Sequence, residues 1–193
     1  FIRYLITHFS SLFSLNGYYN LLKTSGQKVA KDTLFEYLAC LDDINFIKLV
    51  PLYDYSLKKQ AVNPKKIYCI DTGIINAIAF TFSENSGKYL ENLTYLELLR
   101  SGKEVYYYKD KKNREVDFVI VENGKPEKLI QVCKSIDNLH TQKREIKSLI
   151  NAAKELQIKD CFILTEDQKD DFTAEKITIK VRPLWQWLLF RQQ

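Results

Sequence analysis

The chain has 193 residues, 46% of them apolar and 27% charged, which is the composition of a soluble globular protein with room for one large domain or two small ones. No apolar run approaches the roughly 18 residues of a membrane-spanning helix, and the start lacks the basic, apolar and small-residue layout of a signal peptide, so a cytoplasmic protein without membrane contact is expected. The net charge of +5 permits nucleic-acid binding without demanding it.

Ile2 to Leu12 is predicted to form an amphipathic helix, because Ile2, Leu5, Ile6 and Phe9 recur at helical spacing. Ser14 suits the N-cap of a second helix carrying Tyr18, Leu21 and Leu22, which Gly26 would end. A third helix is predicted from about Ala30, with Leu34, Tyr37, Leu38 and Leu41 on one face. Asp42 and Asp43 at its end oppose the macrodipole, so that terminus is expected to be exposed. Two strand-like runs follow, residues 45–51 and 65–70, joined by a polar tongue bearing Lys58 and Lys59. Three short helices and a β-hairpin are the layout of a winged helix-turn-helix. Its third helix would present Lys31, Thr33 and Glu36 away from the core. Lys28, Lys31, Thr33, Lys58 and Lys59 are the residues that would meet nucleic acid. Many winged helices bind proteins instead, and a phosphate footprint usually shows more Lys and Arg than this.

Asp71-Thr72-Gly73 is predicted to cap a short helix through Ala79, and Ser83-Glu84-Asn85-Ser86-Gly87 is the polar stretch suited to a domain boundary. Beyond it the order becomes helix (88–101), strand (104–108), strand (115–121), strand (128–134), helix (138–156), strand (160–165), strand (176–181) and helix (183–190). Strands flanked by helices suggest an α/β sandwich around a mixed sheet. The predicted organisation is therefore a winged helix over residues 1–82 and an α/β domain over 83–193.

Cys40, Cys69, Cys133 and Cys161 lie far apart in apolar stretches, form no CxxC pair and have neither His8 nor His140 nearby, so reduced core thiols are expected rather than a zinc site. Residues 109–114, Lys-Asp-Lys-Lys-Asn-Arg, read as a solvated charged turn. Trp185 and Trp187 read as packing residues, although both could stack on bases. The chain opens on Phe1 and contains no methionine, so a fragment of a longer polypeptide is expected.

Several of these pieces resemble one family. Gly87 to Asn92, then Arg114-Glu115-Val116-Asp117-Phe118, Ile130-Gln131-Val132-Cys133, Arg144-Glu145 and Pro183-Leu184-Trp185-Gln186-Trp187 look like the C-terminal region of a group of prokaryotic AAA+ ATPases. That region is a domain of unknown function related to the PD-(D/E)XK nuclease fold. The front half, with Asp32-Thr33, Tyr37-Leu38, residues 51–54 and Lys66 to Gly73, is similar to the winged helix that precedes it. The resemblance implies an AAA+ module upstream in the same polypeptide, holding ATP there. No GxxxxGK(S/T) phosphate loop occurs in this chain, so the fragment itself is not an ATPase.

A PD-(D/E)XK nuclease clusters carboxylates around a hard divalent cation, Mg²⁺ here, and adds a Lys beside them. The matching positions are Glu91, Asp117, Gln131 and Cys133: two acids, an amide where an acid is wanted, and a thiol where an ammonium is wanted. Glu91 and Asp117 would be the metal ligands, at low occupancy. Lys134 does not substitute, because side chains alternate along a strand and it points away from Cys133. For Asp117 and Gln131 to share a face, the hairpin is predicted to pair Glu122 with Pro126 around a three-residue loop, Asn123-Gly124-Lys125. A two-residue Asn-Gly turn would instead pair Asp117 with Ile130. The expected function is a DNA- or partner-binding module carrying a relic nuclease site. The alternatives are a Mg²⁺-dependent DNA endonuclease with an altered site, and a protein-interaction module that never touches nucleic acid.

Overall fold

The computed structural model describes residues 1–79 and 86–190, and the chain forms two compact units, Phe1–Phe82 and Ser83–Gln193. Ser83, Glu84 and Asn85 of the predicted boundary stretch lie outside the described residues. Among the described residues no helix is long and apolar enough to cross a membrane.

In the first unit, α1 (Ile2–Thr7) is shorter than the helix predicted to Leu12. Ser10 takes a left-handed φ of 50°, its N–H donates to the Ile67 carbonyl, and Ser11–Phe13 becomes strand β1. The apolar period of Phe9, Leu12 and Phe13 fits either element over so short a run, and strand pairing decides it. Ser14 caps α2 (Leu15–Thr24) by accepting the Gly17 N–H, and Gly26, at φ 75°, turns the chain out of it. Helix α3 (Lys31–Asp43) buries Leu34 and Leu41, but Tyr37 of the predicted apolar face is 53% exposed. The two aspartates at its end are not left to oppose the macrodipole alone. Lys48 sits 2.9 Å from the Asp42 carboxylate and also donates to the Asp42 carbonyl, placing a cation at the helix C-terminus.

Strands β2 (Ile47–Val50) and β3 (Lys65–Cys69) pair antiparallel, Ile47 opposite Cys69, and β1 pairs β3 on its other edge. The tongue between them is not a plain loop: it holds a short helix, α4 (Leu57–Val62), capped by Ser56 and tied down by Asp54. Helix α4 buries none of its residues, so no apolar period marks it in the sequence. Asp71 caps α5 (Thr72–Ile78) by accepting the Gly73 N–H at 2.6 Å.

The second unit begins with α6 (Ser86–Arg100) and is built on a six-stranded mixed sheet, in which β4 (Glu104–Lys109), β5 (Glu115–Glu122) and β6 (Lys125–Val132) are antiparallel neighbours. After α7 (Leu139–Leu156) the chain adds β7 (Asp160–Thr165) parallel to β6. Strand β8 (Asp170–Ala174) and then β9 (Ile177–Pro183) complete the order β4-β5-β6-β7-β9-β8, and α8 (Leu184–Leu189) follows. The predicted strands from Glu104 to Thr165 thus share one sheet. Strand β8 was not predicted; it is an edge strand without apolar alternation, hairpinned to β9 through Glu175 and Lys176 at positive φ. Successive strand residues face opposite ways. Phe118 stacks against Tyr95 of α6, so α6 covers the Phe118 face and Asp117 looks to the other. That other face is covered by α7, whose Glu145 acts on Cys133.

The loop from Lys109 to Arg114 is a built turn rather than a merely solvated one. The Asp110 carboxylate, with a side chain only 6% exposed, accepts the N–H groups of Lys112 and Arg114 and the Arg114 guanidinium. Burial pushes its ionisation up, but the Arg114 backbone and side-chain bonds, the Lys112 N–H and the Arg114 charge together outweigh that and hold it below its usual value of 3.8. A depressed folded pKa contributes stability above the unfolded value and loses it as pH falls through the folded one. Melting of the wild-type chain is therefore expected to show a stability loss developing below about pH 4. That loss should shrink in Asp110→Asn; an identical acid profile in the variant would remove Asp110 as a cause.

Candidate functional site

The strand pair β5–β6 builds the site. Its turn has two residues, Asn123 and Gly124, both at positive φ, with Glu122 opposite Lys125; the predicted three-residue loop is wrong. A bulge corrects the register instead. Val121 pairs with Pro126 but Ile120 pairs with Lys128, leaving Glu127 as the extra residue. Phe118 then pairs with Ile130, which sets Asp117 opposite Gln131 on one face. The predicted juxtaposition arises by a different device.

At that level the strands are held by side chains. The Asp117 carboxylate accepts the Val132 N–H at 2.8 Å, and the Gln131 side-chain oxygen accepts the Asp117 N–H at 3.3 Å. Both side chains are buried, 5% and 7% exposed, and each has its backbone-directed bond. One position on, the Cys133 N–H continues the sheet to the Leu164 carbonyl and its half-buried thiol faces Glu145 and Asp117. Burial first, then the two carboxylates, push that thiol up to about 12, against a smaller opposing pull from Arg144. It is a neutral thiol at neutral pH and not a ready nucleophile.

Arg144 and Glu145, which sequence reasoning matched to the family without a role, complete the cluster. Glu145 is 4% exposed and accepts the Arg144 Nε and Nη2 at 3.1 and 2.5 Å, while Arg144 remains open to solvent. The bond to Glu145, with smaller help from Cys133 and Asp117, holds the guanidinium above its already high value. A positive charge thus reaches the cluster from α7 instead of from β6. A signal for Glu145 exists in the sequence: it continues the stripe of Leu149, Ala152 and Leu156 that buries α7, and an acid on a core-facing stripe needs a partner.

Glu91 is also buried, one turn before Tyr95 on α6, and so is carried by the helix covering the opposite face of the sheet from Asp117. Gly87 at the start of that helix approaches the end of β6, where a Cβ would stand 3.8 Å from the Lys134 nitrogen. Mg²⁺ is octahedral, keeps several of its waters and is held by one or two carboxylates with an oxygen free to face it. Here one Asp117 oxygen serves Val132, the Gln131 oxygen serves Asp117, and Cys133 is a neutral thiol. Among the described residues no three His, Cys, Asp or Glu side chains form a group able to hold a metal.

In the first unit, Lys28, Lys31, Lys58 and Lys59 are exposed and Thr33 is half-buried. Lys31 lies 5.7 Å above the Phe35 ring, and Lys59 pairs with Asp54 at 3.1 Å. The tongue that carries Lys58 and Lys59 also exposes Tyr55, Leu57 and Val62, at 80%, 78% and 71%.

The family model of a domain of unknown function, DUF4143, matches residues 86–187, and that of a second domain of unknown function, DUF8612, matches residues 1–85. An uncharacterized protein of Methanocaldococcus jannaschii is 35% identical over 195 residues, a match covering 96% of this chain and 42% of that protein. The chain therefore spans less than half the length of that relative. No solved structure matches the chain.

Proposed function

We propose that this chain, which belongs to the DUF4143 family of domains of unknown function, is a binding and attachment module of a longer polypeptide, made of a winged helix and a PD-(D/E)XK-like unit that does not cut DNA. The observation that carries the reading is the use of Asp117 and Gln131 as strand clamps beside a neutral Cys133. Groups that in a nuclease would hold metal and polarise water are here engaged with backbone N–H donors, and the Lys is missing. An AAA+ module with its ATP lies elsewhere in the polypeptide in this reading, in keeping with the 42% share of the relative. The test is incubation of the purified chain with duplex and branched DNA in Mg²⁺ or Mn²⁺. No cleavage is expected; metal-dependent cutting abolished by Asp117→Asn would establish the endonuclease instead.

The surface of the first unit favours a protein over a duplex as what it holds. A wing that tracks phosphates is basic at its tip, whereas this tongue ends in exposed Tyr55, Leu57 and Val62, and Lys59 is already paired. Lys31→Ala and the double change Lys58→Ala with Lys59→Ala are expected to leave affinity for duplex DNA unchanged. Weakening across all sequences, with a salt slope falling by about 0.9 per lysine, would return the DNA reading for this unit.

A further inference from the structure

The second unit carries a groove that none of the chemistry above uses. It lies on the opposite face of the sheet from Asp117: Lys128 stands three residues before Gln131, about 10 Å along the strand, and Arg182, paired with Leu164, is level with Val132. Register places its members. Ile130 pairs with Phe162, Phe162 with Lys180, and Leu164 with Arg182, so Lys128, Phe162, Lys180 and Arg182 share the face that α6 covers farther along.

The ammonium groups of Lys128 and Lys180 stand 5.4 and 5.1 Å from the centre of the Phe162 ring. Both turn to one carboxylate, Asp160, at 3.3 Å each, so two cations share one anion and a positive charge is left over. Arg182 has its own partner in Asp171. Helix α8 forms the facing wall, where Trp187 and Phe190 close with these residues a cavity of about 270 Å³. Trp187 and Lys128 also border a second cavity of about 780 Å³ that runs toward Arg100 and Lys103, which are paired with Glu97 and Glu122. The two cavities meet at this Trp–Lys wall.

We infer that this groove binds single-stranded nucleic acid, with backbone phosphates at Lys128 and Lys180 and a base stacked on Trp187. Two ammonium groups sharing the one Asp160 carboxylate leave a positive charge that calls for an anion, and the rings of Phe162, Trp187 and Phe190 interleave with them. Every base offers a π-face to such rings, whereas an acidic peptide would satisfy the cations and leave the rings uncovered. A concave slot walled by a helix admits splayed bases and not a stacked duplex. The inference is independent of what the first unit holds.

The chain contains two tryptophans, so in a Trp185→Phe background Trp187 reports alone. Titration of that chain with oligothymidylate is expected to quench its fluorescence, with affinity falling as salt rises. Lys128→Ala with Lys180→Ala removes two side chains from the surface without touching the core. It is expected to weaken binding about tenfold or more at low salt, to lower the salt slope by about 1.4, and to leave thermal melting unchanged. Trp187→Leu in the wild-type background, followed by oligonucleotide anisotropy, is expected to cost roughly five- to a hundredfold. Unchanged affinity in the double-lysine variant overturns the inference. So does equal affinity for duplex of the same length, or displacement of the oligonucleotide by polyglutamate at matched charge, which would assign the groove to an acidic protein segment.

Discussion

Cys133 is expected to alkylate about a thousandfold more slowly at pH 8 in the native chain than in the urea-unfolded chain. An unperturbed thiol, with a pKa of about 8.5, is roughly a quarter thiolate at that pH. With the pKa pushed up to about 12, the native fraction is about one part in ten thousand, and the thiolate is the reacting species. The causes can be separated. Glu145→Gln removes one of the two carboxylates acting on the thiol and should recover part of the rate, while burial, the largest cause, persists. The sign of the linkage follows: with the folded pKa raised, this thiol's contribution to stability is complete below about pH 8.5 and declines as pH rises toward the folded value. Site-resolved mass spectrometry of iodoacetamide labelling measures the protection. A native rate within tenfold of the unfolded one would mean that Cys133 does not face carboxylates in a desolvated site.

Long elements with a clear period were legible. The α7 prediction over 138–156 meets Leu139–Leu156, and β7 was placed at its observed bounds. What escaped prediction shares a physical cause: it is held by partners rather than by its own pattern. Helix α4 buries nothing and depends on Ser56 and Asp54; β8 has no apolar alternation and depends on β9. The Glu127 bulge sits between Pro126 and Lys128 in a polar stretch, where nothing in the residues separates a bulge from a longer loop. The Asp117–Gln131 pair was reached because side-chain alternation constrains which residues share a face, whichever turn delivers them. The bonds that the pair makes to backbone were not legible, because they depend on where β5 and β6 stop exchanging their own hydrogen bonds.

Those bonds lead to the largest stability effect expected at the site. Asp117→Ala leaves the Val132 N–H buried without the acceptor it now has at 2.8 Å, and it takes a carboxylate away from a charge-assisted bond. Together these should cost about 3 kcal/mol, which for a unit of this size is a fall in Tm of ten degrees or more. Asp117→Asn keeps an oxygen in the same place and removes one of the two negative charges acting on Cys133. Its cost is expected to stay within about 1 kcal/mol. A metal-holding aspartate would behave differently: Asn would abolish activity and metal-dependent stabilisation alike, and adding Mg²⁺ would raise Tm in the wild type alone. Thermal melts of the three chains, with and without Mg²⁺, separate the two cases. If Ala and Asn lower Tm equally, the charge and not the bond to Val132 holds the strands, and the clamp reading of this site fails.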